Sequence, residues 1–186
     1  HDLWLLQAMN YVLRSRGKTG LSPDIRITPT GGAANLIPLA LMMTAHKKPA
    51  AVLLSGHNIP QGVLEKLPSM HIREGNGLLL YSSFVNRQGA GIEDLFSPEF
   101  YHRCVKDIYP DLPLGQISEK SPAERNEERG IALQIADLVE RRQGEHFERW
   151  RVAELLSDRI CESPQNLDDE TIDRFSRLFD EINRLI

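Results

Sequence analysis

Strand-like and helical segments alternate in the first half of the chain and helices alone follow, which predicts an α/β fold with a C-terminal helical subdomain. Two observations carry the prediction. Ala50-Ala51-Val52-Leu53-Leu54 is an apolar run without alternation, as a strand covered on both faces requires. The stretches between strand-like runs are roughly ten residues long, which suits right-handed helical crossovers in a mostly parallel sheet of about four strands, with helices on both faces.

Taken in order, Leu5, Leu6, Met9, Val12 and Leu13 recur at helical spacing between Asp2 and Arg16, and Gly17 supplies the stop. Ile25-Arg26-Ile27-Thr28 is a short β-branched run that reads as a strand. Gly31-Gly32 leads into a helix over Leu36 to His46, with Pro38 tolerated in its first turn. After the run at 50–54, Ile59 to Leu67 reads as a short helix and Gly77 to Tyr81 as the next strand. Helices follow from Ser97 onward. The last carries Ile172, Phe175, Leu178, Phe179, Ile182 and Leu185 on one stripe, with Asp168 or Asp169 as its cap and Leu167 as a hydrophobic staple. The charged stretch Glu119 to Arg129 is the expected solvated join, giving an α/β domain over 1–115 and a helical subdomain over 116–186. A doubly covered sheet rarely opens on a helix, so one strand is expected upstream of His1.

At 186 residues and 21.1 kDa the chain is long enough to bury a sizeable core. Hydrophobic residues at 41% and charged ones at 26% exclude disordered and fibrous classes. A net charge of −4 does not mark a nucleic-acid binder, although a local basic face is compatible with it. No apolar run has the length of a membrane span, and Cys104 and Cys161 lie far apart without Cys-x-x-Cys pairing, which suits a reducing cytoplasm.

Functional groups of an open α/β sheet gather at the carboxyl ends of its strands. The candidates there are Thr28 to Gly32, the loop Ser55-Gly56-His57-Asn58, the acidic pair Glu93-Asp94, and Asp2 at the start of the first helix. Each has a plainer reading. Gly31-Gly32 fits a tight turn as well as a phosphate cradle, as in a small-molecule-binding domain, and matches neither the dinucleotide nor the P-loop pattern. Ser55-Gly56-His57 lacks the glycines of a nucleophile elbow. Glu93-Asp94 and Asp2 fit helix caps. The other histidines show no metal-ligand spacing.

The order "DLWLLQAMNYVLRSRG", "IRITPTGGAANL", an apolar strand with a short loop, and "GIEDLFSPEFY" resembles the TOPRIM domain of OLD-family (overcoming lysogenisation defect) nucleases. "RWRVAELLSDRI" followed by "LDDETIDRFSRLFDEINRLI" is similar to the helical tail of that family. The resemblance implies a DNA endonuclease that hydrolyses phosphodiesters with Mg²⁺ or Mn²⁺ and carries an ATPase domain in cis. It also implies a homodimer, and several members of the family act in phage defence. By the same resemblance Asp2, Ser55, His57, Glu93 and Asp94 are the metal-ligand candidates, with Asp2, Asp94 and Arg149 in catalysis. Carboxylates are hard ligands for such ions, and two ions can activate a water and stabilise the leaving oxygen. The chain departs from the family where an Asp-x-Asp is expected: that place reads Ser55-Gly56-His57, two negative charges fewer. Arg149 stands where a lysine is expected, able to stabilise a phosphate by charge but too basic to be a general acid. The alternative is a catalytically degenerate TOPRIM-like module that docks DNA or a partner subunit.

Overall fold

The computed structural model describes residues 1–57, 59–115 and 129–186. Asn58 and most of the expected join, 119–128, lie outside the described residues, as does the start of the expected helical subdomain at 116. The architecture is mixed α/β: a small parallel sheet of three strands with helices around it.

Helix α1 (Asp2–Ser15) buries Leu5, Leu6, Met9, Val12 and Leu13, the stripe its spacing predicts. It ends at Gly17, whose φ of +70° suits glycine. The Ile25–Thr28 run differs from expectation. It pairs with no described strand, yet Ile25 and Ile27 still pack half-buried on the main core. A β-branched run marks a half-buried extended segment; a ladder also needs a neighbour at hydrogen-bonding distance, which local sequence does not encode. Helix α2 (Leu36–Ala45) follows, with Pro38 in its first turn and Leu41 and Met42 exposed.

Strand β1 (Val52–Leu54) precedes α3 (Gln61–Lys66), a short turn of 3₁₀-helix at Leu67–Met70, and β2 (Arg73–Glu74) and β3 (Gly77–Leu80). The strand order is β1-β3-β2, and Val52, Leu53 and Leu54 lie opposite Leu78, Leu79 and Leu80 in parallel register. This register explains the unbroken apolar runs. Leu53 and Leu79 face the main core, whereas Val52, Leu54, Leu78 and Leu80 face a second cluster built on Leu36, Ala40, Val63 and Leu67. Successive side chains of a strand alternate faces, so a sheet between two cores must be apolar at every position.

Helix α4 (Pro98–Ile108) follows Ser97 with proline at its first position, and α5 (Ile131–Gln143) stops at Gly144, with φ +68°. Helix α6 (Arg149–Glu162) packs along α1 and α4, and α7 (Asp169–Leu185) touches α1. The main core joins all of these, with Phe96 and Phe175 rings 5.0 Å apart. Asp168 caps α7 as its sequence predicts: Oδ1 accepts from the Thr171 N–H at 2.7 Å and Oδ2 from the Thr171 hydroxyl at 2.9 Å. The same hydroxyl accepts from the Ser97 N–H at 3.1 Å, so one buried threonine ties the starts of α4 and α7 together. Leu167 and Ile172 share the core as a staple pair. Among the described residues, no helix is long and apolar enough to cross a membrane.

Candidate functional site

The parallel register brings the ends of β1 and β3 side by side, so Ser55 and Tyr81, the residues that follow them, emerge at the same edge. The 3₁₀ turn Ile92–Leu95 and the N-termini of α1 and α6 close on this edge. Glu93 is at the centre, 2% exposed. Arg149, the first residue of α6, grips it with both forks. Its Nε and Nη2 donate to Oε1 at 3.1 and 2.7 Å, and Nη2 donates also to Oε2 at 2.9 Å. On the N-terminal side, the Tyr81 hydroxyl donates to Asp2 Oδ2 at 3.0 Å. His1 Nε2 lies 3.1 Å from Asp2 Oδ1 and 4.0 Å from Glu93 Oε1.

Gly91 makes the approach possible. A Cβ there would lie 2.8 Å from Glu93 Oε2, 3.6 Å from Arg149 Nη2 and 3.8 Å from Ser55 Oγ, so three functional side chains converge on a point that only glycine leaves clear. The loop carrying Ser55 and His57 is pinned to the same segment. The Gly56 N–H donates to the Ala90 carbonyl at 2.8 Å, and His57 Nδ1 lies 3.3 Å from the Gly89 carbonyl oxygen.

Asp94 has a different set of partners. Its Oδ2 accepts from the Gly91 N–H at 2.9 Å, its Oδ1 accepts from the Ile131 N–H at 3.0 Å, and Arg87 pairs with it as well. Its carboxylate therefore closes the turn it belongs to and caps the first N–H of α5, a donor that has no partner within its own helix. The structure thus brings Asp2, Ser55, Glu93 and Arg149 to one place, holds His57 on the 88–91 segment, and commits Asp94 to Arg87 and α5. Tyr81 and His1 belong to the same place but do not figure among the residues sequence reasoning selects. Tyr81 carries a legible signal, a polar-tipped residue directly after an apolar strand, whereas nothing in the sequence marks His1.

Burial pushes the Glu93 carboxyl above its ordinary range; Arg149 pulls against that and Asp2 adds to it. Burial also pushes Tyr81 well above the usual phenol range, with Asp2 and Glu93 reinforcing the shift, so the hydroxyl stays a proton donor to Asp2. Tyr101, beneath the pair, is raised by burial and by Glu93. Burial would lower Arg149, but Glu93 outweighs it and the guanidinium stays charged.

A divalent cation would need carboxylate lone pairs that are free to turn toward it. Both oxygens of Glu93 already accept from Arg149, and both oxygens of Asp94 accept from backbone N–H groups. Among the described residues, no three His, Cys, Asp or Glu side chains are grouped as a metal site requires. The donor set as arranged does not fit Mg²⁺ or Mn²⁺. No family model, curated protein or solved structure matches the chain.

Proposed function

We propose that this chain is a catalytically degenerate TOPRIM-like module that serves an OLD-type ATPase assembly by docking, with its former metal centre converted into a structural ion pair. The carrying observation is the bidentate Glu93–Arg149 pair: the carboxylate that the resemblance assigns to metal is neutralised by a guanidinium in a buried site. The Ser55-Gly56-His57 loop supports the same reading, because two charges that would hold a dication are missing from it. Asp94 supports it further, since its oxygens serve the fold.

One feature favours the second reading, a metal-dependent DNA endonuclease. The Asp2 side chain, although it accepts from Tyr81, is 41% exposed and so open to a cation from solvent. The two readings separate in one experiment. Under the docking reading, Mn²⁺ or Mg²⁺ at millimolar concentration leaves the melting temperature unchanged, because a site that binds only the folded state would raise it by linkage. Supercoiled plasmid also stays intact. Plasmid nicking that Mn²⁺ supports and that Asp2→Ala or Glu93→Gln abolishes would overturn the docking reading and establish the nuclease.

A further inference from the structure

Helices α1 and α6 both start at the ion-paired centre, and on their outer side they frame a groove of about 370 Å³. Trp4, Ala8 and Tyr11 line it from α1, and Glu154, Asp158 and Cys161 from α6. Its composition is unlike the rest of the surface. Among the described residues the large aromatic side chains that stand exposed are Trp4, Tyr11 and Trp150, and Trp150 lies one turn before Glu154 on the same helical ridge. Both tryptophans of the chain thus flank the groove. Glu154 and Asp158 are four residues apart, a like-charge spacing that destabilises an isolated helix, and neither forms an ion pair among the described residues. Among the described residues, exposed acids without an ion pair stand on other helices too, Glu99 and Asp180 among them, but in the groove the carboxylates of Glu154 and Asp158 are the charged side chains of the lining, with no basic residue beside them in it.

We propose that this groove is the docking site for a basic amphipathic helix of a partner protein; the inference rests on the docking reading above. Two side-by-side helices leave a channel that a third helix fills, with its apolar residues against Trp4, Ala8 and Tyr11. Lysine or arginine on its flank meets the unpaired carboxylates, and a cation over Trp4 or Trp150 gains cation–π attraction. Charge decides between partner classes. Two uncompensated carboxylates repel a phosphate backbone, so the groove discriminates against DNA and for a basic peptide.

The chain carries its own reporters. Both tryptophans respond to occupancy by fluorescence, and Cys161 is an exposed thiol in the groove whereas the other cysteine, Cys104, is buried. The probe is a Leu–Lys amphipathic peptide of about four turns, roughly the length of α1. Expected are a saturable blue shift of tryptophan emission, protection of Cys161 from alkylation, and affinity that weakens with salt. Both Glu154→Lys/Asp158→Lys and the milder Glu154→Gln/Asp158→Asn are expected to weaken binding, the first by about tenfold, as the loss of two partly exposed ion pairs implies. Asp24→Lys/Asp111→Lys, an equal change of charge at exposed sites elsewhere, leaves binding as it was. Binding that survives both groove variants, that Asp24→Lys/Asp111→Lys weakens equally, or that leaves Cys161 fully reactive overturns the proposal. So does a short DNA duplex that produces the same shift. Plasmid cleavage is read separately: cutting would refute the docking reading of the acidic centre, while loss of peptide binding would refute the groove alone.

Discussion

Glu93→Ala tests the ionic centre most directly. The substitution removes a carboxylate whose side chain is 2% exposed and strands a guanidinium that is itself only 25% exposed. Three hydrogen bonds vanish at once, and the positive charge keeps its burial without its partner. Breaking one member of a buried pair costs about 3–5 kcal/mol, and the partial exposure of Arg149 places this case at the lower end, about 3 kcal/mol. With a urea dependence of about 2.5 kcal/mol per molar, the unfolding midpoint falls by about 1.2 M. Arg149→Met strands the opposite charge, and there the loss depends on pH. The folded Glu93 carboxyl titrates above its ordinary value of 4.5 and rises further without Arg149. The folded state then takes up a proton more readily than the unfolded one. The penalty is complete above the folded pKa, shrinks as the pH falls through it, and is gone below about 4.5, the unfolded value. Glu93→Ala shows no such relief, because arginine stays charged throughout. Glu93→Ala/Arg149→Met together cost less than the sum of the two single changes by about 1–3 kcal/mol, as expected for groups in contact. Urea titrations followed by far-UV circular dichroism read all four proteins. Single variants within about 0.3 M of the parent midpoint, or additive effects in the double variant, would show that the pair does not hold the centre together.

Three further outcomes follow from the packing. Burial opposes ionisation of Asp168, but hydrogen bonds from Thr171 and Ser97 hold its carboxyl below the ordinary 3.8. Its contribution is therefore present above pH 3.8 and lost as the pH falls through the lower folded value. Asp168→Ala costs about 1 kcal/mol at neutral pH, and the gap to the parent closes in acid melts. Gly56→Ala would drive its Cβ into the Gln88 carbonyl oxygen, whereas Gly62, within α3, has nothing within 4 Å. Gly56→Ala is expected to lower stability by about 2 kcal/mol or more, and Gly62→Ala to raise it by about 0.5–1 kcal/mol, in the same urea assay. Tyr81→Phe removes the donor to Asp2 and costs about 1 kcal/mol; a melt unchanged from the parent would detach Asp2 from the centre.

Periodicity and composition alone determined the elements whose reasons are local. The stripe of α1, the stop at Gly17, the Asp168 cap with its Leu167 staple, and the two-faced burial of Val52–Leu54 each follow from residues within one or two turns of each other. The Glu93-Asp94 pair shows where that reach ends. Its sequence offers a cap for the helix directly after it, yet Asp94 caps α5, 37 residues further on, and Glu93 is claimed by Arg149, 56 residues away. Both acids are equally consistent in sequence with metal ligands, caps or ion pairs. What separates these roles is which donors arrive at a buried carboxylate, and in a region of low dielectric the first guanidinium or N–H to arrive settles it. Ile25–Thr28 fails as a strand for the same reason, since pairing requires a neighbour that only the assembled fold supplies. The groove of Trp4, Tyr11, Glu154 and Asp158 likewise arises only where α1 is laid along α6, because neither helix has a concave surface by itself.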